Sequence, residues 1–301
     1  MSATTSIGTI AVAAPAKLNL FLHVVGRRAD GYHLLDSLIA FGSAHDTVRV
    51  ARADALTLTI DGPFGAALDG SSDDNLVLKA ARGLAEASGR PAHAAISLTK
   101  RLPVASGIGG GSADAAATLS ALMRLWRLEL EPAELARIAL SLGADVPICL
   151  KGEAARVSGI GEVIAPIGRL PEAGLLLVNP MVPVATAAVF KSRQAAFSAP
   201  APALGTVPTI EALGTALGAT RNDLEPAAKQ LAPVIGDVLD SLAQAEGCRF
   251  ARMSGSGATC FGLFDDETSA QRAALSLARA RPGWWAAPCR LLSSTRDLVP
   301  A

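Results

Sequence analysis

Apolar positions in the first hundred residues recur mostly at the two-residue period of strands. Ile10, Val12, Leu18, Leu20, Leu22 and Val24 lie within residues 7–25 and predict one or two strands. Thr47–Val50 and Leu56–Ile60 alternate apolar and polar residues, as half-buried strands do. At Asn75–Ser88 the spacing becomes helical, with Leu76, Ala80, Leu84 and Ala87 on one face, and Ala95–Leu98 returns to a strand. Ala115, Leu119, Leu122 and Trp126, at steps of four, three and four, predict a helix beginning near Ser112. A further helix is expected over Pro132–Leu142, with proline in its first turn and Gly143 as its stop. Ala144–Leu150 reads as a short buried strand. Ser198–Pro208, rich in Pro, Ala and Ser, reads as a loop or lid of low intrinsic order. Helical patterns follow at Leu231–Gln244 and Ala270–Ala280, and strand-like pieces at Cys260–Phe264 and Cys289–Leu292. Strands and helices mix without a regular βαβ rhythm, so the expected class is α+β, with a domain boundary between Gly152 and Leu175.

Half of the 301 residues are hydrophobic but only 4% are aromatic, so the cores must be built from Ala, Leu, Val and Ile. Basic and acidic residues balance at 27 each, without the surplus of positive charge that neutralises a nucleic-acid backbone. Nucleic acid is therefore not an expected partner. The four cysteines and four histidines lack the close spacing of metal ligands, and buried free thiols are the plain expectation. The N-terminus has no charged region ahead of an apolar core, and no apolar run approaches the ~20 residues that span a bilayer. The expectation is a soluble, cytoplasmic protein without a membrane partner.

The segment Leu102–Ala116 carries the strongest local chemical signal. Gly107, Gly109, Gly110 and Gly111 let backbone N–H groups approach an anion unobstructed by a Cβ. The helix that follows would turn its N-terminal amides and dipole toward the same anion. Either the glycines simply join a strand to a helix, or they cradle a polyphosphate. The run fits neither G-x-x-x-x-G-K-[ST] nor G-x-G-x-x-G. A second glycine cluster, Ser254–Gly262, is either a turn or a second wall of the same phosphate site.

Lys17 stands alone among apolar neighbours, and Asp145 follows Gly143-Ala144 and precedes Val146-Pro147-Ile148. Taken singly, each reads as a solvent-facing strand lysine and a turn aspartate. Beside a phosphate site they acquire another reading. Phosphoryl transfer needs positioning and charge compensation, which one cation and one carboxylate supply. Asn19 would share the strand face of Lys17.

Three segments in this order resemble the GHMP kinase superfamily: Pro15-Ala-Lys17-Leu-Asn19, the run Pro103–Ala116, and Ser254–Gly262. Gly26–Ser37, Asp74–Leu76, Gly143–Pro147 and Asn222–Pro226 are similar to one branch. That branch phosphorylates the 2-hydroxyl of a cytidine-diphosphate-linked methylerythritol in the non-mevalonate isoprenoid pathway. The resemblance implies a two-domain fold. Residues 1–165 would form an ATP-binding domain like domain 2 of ribosomal protein S5, and residues 166–301 a ferredoxin-like domain completing the substrate cleft. It implies Lys17 and Asp145 as the catalytic pair and Asn19 on the substrate side. Tyr32 and Phe190 would sandwich the cytosine, with His33 on its polar edge. Asn75 and Lys100 would lie near adenine and ribose. The phosphates would lie along Pro103, Val104, Ala105, Ser106, Gly107, Ile108, Gly109, Gly110, Gly111, Ser112 and Ala113. Mg²⁺ would arrive chiefly on ATP, with Ser112 a weak candidate ligand and no residue assigned as a dedicated metal ligand. A monomer or weak homodimer is expected. Two departures stand out: Ala105 and Ser106 occupy places where the family commonly has glycines, and Ser37 replaces a common threonine. Other acceptors (homoserine, mevalonate, a sugar) and a nucleotide-binding regulator without turnover remain alternatives.

Overall fold

The computed structural model describes residues 8–68, 74–296 and 298–300. The chain opens with two long antiparallel strands, β1 (Ile10–Arg27) and β2 (His33–Ala51), joined by a tight turn in which Gly31 has φ +93°. β1 is a single strand of 18 residues, bent by register shifts after Pro15, Asn19 and Val24. Such bulges turn a strand and re-aim its side chains.

The rest of the first half adds β3 (Thr57–Asp61), α1 (Leu76–Ala87), β4 (Ala95–Thr99), α2 (Gly110–Trp126), α3 (Pro132–Leu142), α4 (Val146–Lys151), β5 (Ala155–Gly159) and β6 (Val163–Pro166). The second half contains β7 (Gly174–Asn179), α5 (Thr186–Ser192), α6 (Ile210–Gly218), α7 (Glu225–Leu231), α8 (Val234–Ala243), β8 (Cys248–Met253), β9 (Cys260–Phe264), α9 (Glu267–Ala280) and β10 (Trp285–Leu292). β2 is the spine. β1 runs along one edge, while β5, β10 and β4 share the other edge in succession. Strands of the second half lie in the order β10-β7-β9-β8, which is the split βαβ arrangement of a ferredoxin-like unit. The expected α+β class and two-part organisation are what the chain forms.

Small residues set the packing of the first half. Ala113, Ala115, Ala116, Ala117 and Ala121 are all buried on α2, so the helix lies close on β1 and β2 beside Val48, Val50 and Leu98. A second core joins the halves, with Leu18, Leu20 and Phe21 of β1 packed among Leu175, Leu177, Phe261 and Leu263. A third lies under α7, α8 and α9.

Two sequence expectations are corrected. Ala144–Leu150 is not a strand: Asp145 precedes α4, which has Pro147 in its first turn. A short buried apolar run carries no periodicity that separates strand from helix. Ser198–Pro208 has no regular structure, yet it is not loose. Asp36 Oδ2 accepts from the Ala201 amide at 2.7 Å, and Arg156 donates to the Ala201 carbonyl at 2.6 Å. Ser198 donates to Asp223 at 2.6 Å. Among the described residues no helix is long and apolar enough to cross a membrane.

Candidate active site

A cleft of about 450 Å³ opens between the halves, lined by β1, the loop ahead of α2, Asp145, α5 and the β8–β9 loop. At its floor Lys17 Nζ lies 2.9 Å from Asp145 Oδ2 and 3.1 Å from Asn19 Oδ1. The Lys17 side chain is 5% exposed, whereas that of Asp145 is 43% exposed. The lysine is held while the carboxylate stays open to the cleft. Asp145 sits just ahead of α4, where a helix dipole favours negative charge.

The glycine loop lies directly against Lys17. The Lys17 amide donates to the Ile108 carbonyl at 2.9 Å. Gly109 has φ +63°, and a Cβ there would come within 3.2 Å of the Lys17 side chain. α2 begins at Gly110, earlier than Ser112, and carries neither a side-chain cap nor an acidic residue in its first turn. Its first intrahelical bond along the chain is Ala113 N–H to the Gly109 carbonyl, leaving the Gly110, Gly111 and Ser112 amides without helical partners. Three unsatisfied donors at the positive end of a 17-residue helix, beside a lysine, suit a phosphate chain.

The second glycine cluster touches the first rather than facing it across a gap. Thr259 N–H donates to the Ser106 carbonyl at 3.1 Å, and Ser254 Oγ to the Gly107 carbonyl at 3.2 Å. A Cβ on Gly107 would meet the Gly257 carbonyl at 2.5 Å, so backbone packs on backbone. Ser254 Oγ also accepts from the Asn19 amide, and Asn222 donates to the carbonyls of Met253 and Gly255. Sequence reasoning assigned no role to Ser254 or to the Asn222 side chain, although both lie in segments that carry the family resemblance. Val104 and Ala105 are exposed on the loop, while Pro103, Ser106 and Ile108 are buried behind it. Ala105 has φ +51°, a left-handed conformation at a place where the family commonly has glycine.

The remaining expected site residues lie in or around the cleft. Lys100 was expected near adenine and ribose. It lines the cleft, with its ammonium paired to Asp46 and to Asp114, the latter at 2.9 Å, beneath the start of α2. A buried ammonium without such partners would be strongly disfavoured, so two carboxylates hold it there. Burial, with Asp46 adding to it, pushes the Asp114 carboxyl up to about 7 against the pull of Lys100. Asn75 caps α1, its Oδ1 accepting from the Val77 amide at 2.9 Å. Phe190 lines the cleft. One face of its ring is covered by His33, with centroids 4.9 Å apart and planes at 24°. Burial and the nearby guanidinium groups of Arg27 and Arg193 lower the His33 pKa. Tyr32, at the hairpin tip, is 63% exposed. His33 thus lies against Phe190, and the Tyr32 ring is free at the tip of the same hairpin.

A resident metal does not fit what is present. Among the described residues no three His, Cys, Asp or Glu side chains gather as a ligand set. Asp46 and Asp114 hold Lys100, and Asp145 holds Lys17.

Residues 75–153 match the description of the GHMP kinases N terminal domain, and residues 201–282 that of the GHMP kinases C terminal domain. A 4-diphosphocytidyl-2-C-methyl-D-erythritol kinase of Paramagnetospirillum magneticum is 53% identical over 95% of this chain and 99% of its own. A protein of the same name from Rhodospirillum rubrum is 53% identical over 96% of this chain and 94% of its own. The crystal structure of a 4-(cytidine 5'-diphospho)-2C-methyl-D-erythritol kinase superposes with a TM-score of 0.78 at 36% identity, covering 94% of this chain and 99% of that one. A homoserine kinase of Cytophaga hutchinsonii, at 18% identity and a TM-score of 0.70, shares the fold. With both family domains matched and relatives about half identical over nearly its whole length, this chain belongs to the GHMP kinases.

Proposed function

We infer that the chain is an ATP-dependent kinase. Its substrate is 4-diphosphocytidyl-2-C-methyl-D-erythritol, the compound in the names of its relatives, and it phosphorylates the 2-hydroxyl of that compound in the non-mevalonate isoprenoid pathway. The observation that carries the reading is the Lys17–Asp145 pair at the open N-terminus of α2. Residues 1–165 hold the nucleotide, and residues 166–301 complete the cleft through Val184, Phe190, Leu224 and Gly255.

ATP supplies the phosphoryl group. The amides of Gly110, Gly111 and Ser112 bind its phosphates, and the Lys17 ammonium offsets charge developing on the transferred group. Asp145 orients the acceptor hydroxyl through its open oxygen and receives the proton as the new O–P bond forms and ADP leaves. Asn19 steadies Lys17. His33 and Phe190 read the base, with Tyr32 at the hairpin tip as the remaining aromatic face. Stacking on such faces contributes roughly 1–3 kcal/mol per base by analogy with nucleic-acid sites. Mg²⁺ enters on the nucleotide.

Steady-state assays over four acceptors test this: the diphosphocytidyl sugar alcohol, homoserine, mevalonate and galactose. Turnover is expected with the first alone. Efficient phosphorylation of homoserine or mevalonate with the first ignored would overturn the assignment.

A further inference from the structure

Ser37 lies on β2, opposite Leu22 of β1 and 2% exposed, one strand away from the proposed chemistry. The register shift between Asn19 and Phe21 brings it beside both. Its Oγ is 2.6 Å from the Phe21 carbonyl and 2.7 Å from Asn19 Nδ2. A carbonyl only accepts, and a hydroxyl has one proton, so that proton goes to Phe21. The Ser37 oxygen is left able only to accept, and it accepts from the Asn19 amide. The NH₂ end of Asn19 must then face Ser37, and its oxygen must face Lys17 Nζ at 3.1 Å. The opposite amide orientation would set oxygen against oxygen at Ser37 and NH₂ against the ammonium at Lys17.

Lys17 has three N–H bonds to direct. One goes to Asn19 Oδ1 and one to Asp145 Oδ2, and its stem lies against Gly109. One N–H remains for a ligand in the cleft. We propose that Ser37 is a positioning residue for phosphoryl transfer, locking the Asn19 amide so that the Lys17 ammonium presents its remaining N–H bond to the transferred phosphoryl group. The inference rests on the kinase reading.

The test is a kinetic series at position 37 on the full-length enzyme, with melting temperatures measured alongside. Ser37→Ala is expected to lower kcat about tenfold while the KM values for both substrates stay within about twofold. Ser37→Thr restores the hydroxyl and is expected to stay within about twofold of wild type. Ser37→Val, which matches threonine in shape but lacks the hydroxyl, is expected to behave like Ser37→Ala, and the Thr/Val pair carries the comparison if the alanine variant does not fold. In an Asn19→Ala background, removing the Ser37 hydroxyl is expected to cost nothing more in kcat, because Ser37 acts through Asn19. Wild-type turnover with equal kcat in the Thr and Val variants would sink the inference and leave the kinase assignment standing. So would an undiminished Ser37 effect in the Asn19→Ala background. No turnover by the wild type would refute the kinase reading itself.

Discussion

Lys17 and Lys100 show how much a side chain's partners decide about its use. Both are buried lysines paired with aspartate at the cleft, but the Asp145 carboxylate is 43% exposed whereas those of Asp46 and Asp114 are buried. Asp145→Asn is expected to lower kcat at least a hundredfold, and Lys17→Ala similarly, with nucleotide affinity by calorimetry changed only a few-fold. Unchanged turnover in both would remove the mechanism. The sealed trio has a pH signature instead. Burial raises the Asp114 carboxyl from 3.8 to about 7, so the folded state binds a proton that the unfolded chain has already lost. Stability from this group is therefore complete below pH 4 and declines as pH rises toward 7. Asp114→Asn, which cannot ionise, is expected to gain stability over wild type at pH 8 relative to pH 5. Urea midpoints at the two pH values measure it, and parallel midpoints would contradict it. Ala105 offers a cleaner case of strain. With φ +51°, its replacement by glycine is expected to stabilise the fold by about 0.5–1 kcal/mol, read from denaturation curves. The position, and the family's glycine there, were legible in the sequence. The partners of Lys100 were not, because Asp46 and Asp114 stand 54 and 14 residues from it.

At the level of elements, α2 combines a stability deficit with a binding function. Its first turn lacks the acidic residue and side-chain cap that would satisfy its amides. Ser112→Asp supplies the charge internally. The change is expected to leave the fold as stable or to stabilise it by about 0.5 kcal/mol, while weakening nucleotide binding at least tenfold. A thermal melt and a calorimetric titration separate the two effects, and unaltered nucleotide affinity would argue against phosphates at this helix end. Much of this level was readable beforehand: α3 and β9 match their expected spans, and α1 and β4 match within a residue or two. What failed did so for physical reasons. Asp145-Val146-Pro147 starts a helix, because proline suits a first turn and α4 is too short to display a period. Residues 198–208 look loose by composition, but their order comes from Asp36, Arg156 and Asp223, which lie elsewhere in the chain. Their hydrogen bonds with the segment cannot be read from its own residues.

The whole molecule must hold two halves at a fixed separation, because Lys17 and the Gly110, Gly111 and Ser112 amides belong to the first and Phe190 and Gly255 to the second. Part of that hold is Arg252 on β8, 8% exposed and within 4.6 Å of the Phe250 ring. Its guanidinium donates to the Leu20 carbonyl of β1, to the Leu217 carbonyl in the last turn of α6, and to the Thr220 carbonyl and hydroxyl just beyond it. Burial lowers its pKa to about 10, so it stays charged at neutral pH and is stabilised by oxygen dipoles rather than by a carboxylate contact. Arg252→Met keeps much of the volume but strips those oxygens of their donor, and such losses cost about 3 kcal/mol in total. Arg252→Lys restores the charge without the planar fork and cannot reach all of these acceptors from one geometry, so it is expected to recover only part of the loss. Because Arg252 is followed by Met253 and then Ser254, the loop that braces Gly107 and Asn19 loosens with it. The methionine variant is therefore expected to show a lower urea midpoint and a several-fold rise in KM for nucleotide. If stability fell by less than about 1 kcal/mol, or if it fell with KM unmoved, Arg252 would not be what ties the second half to the floor of the cleft.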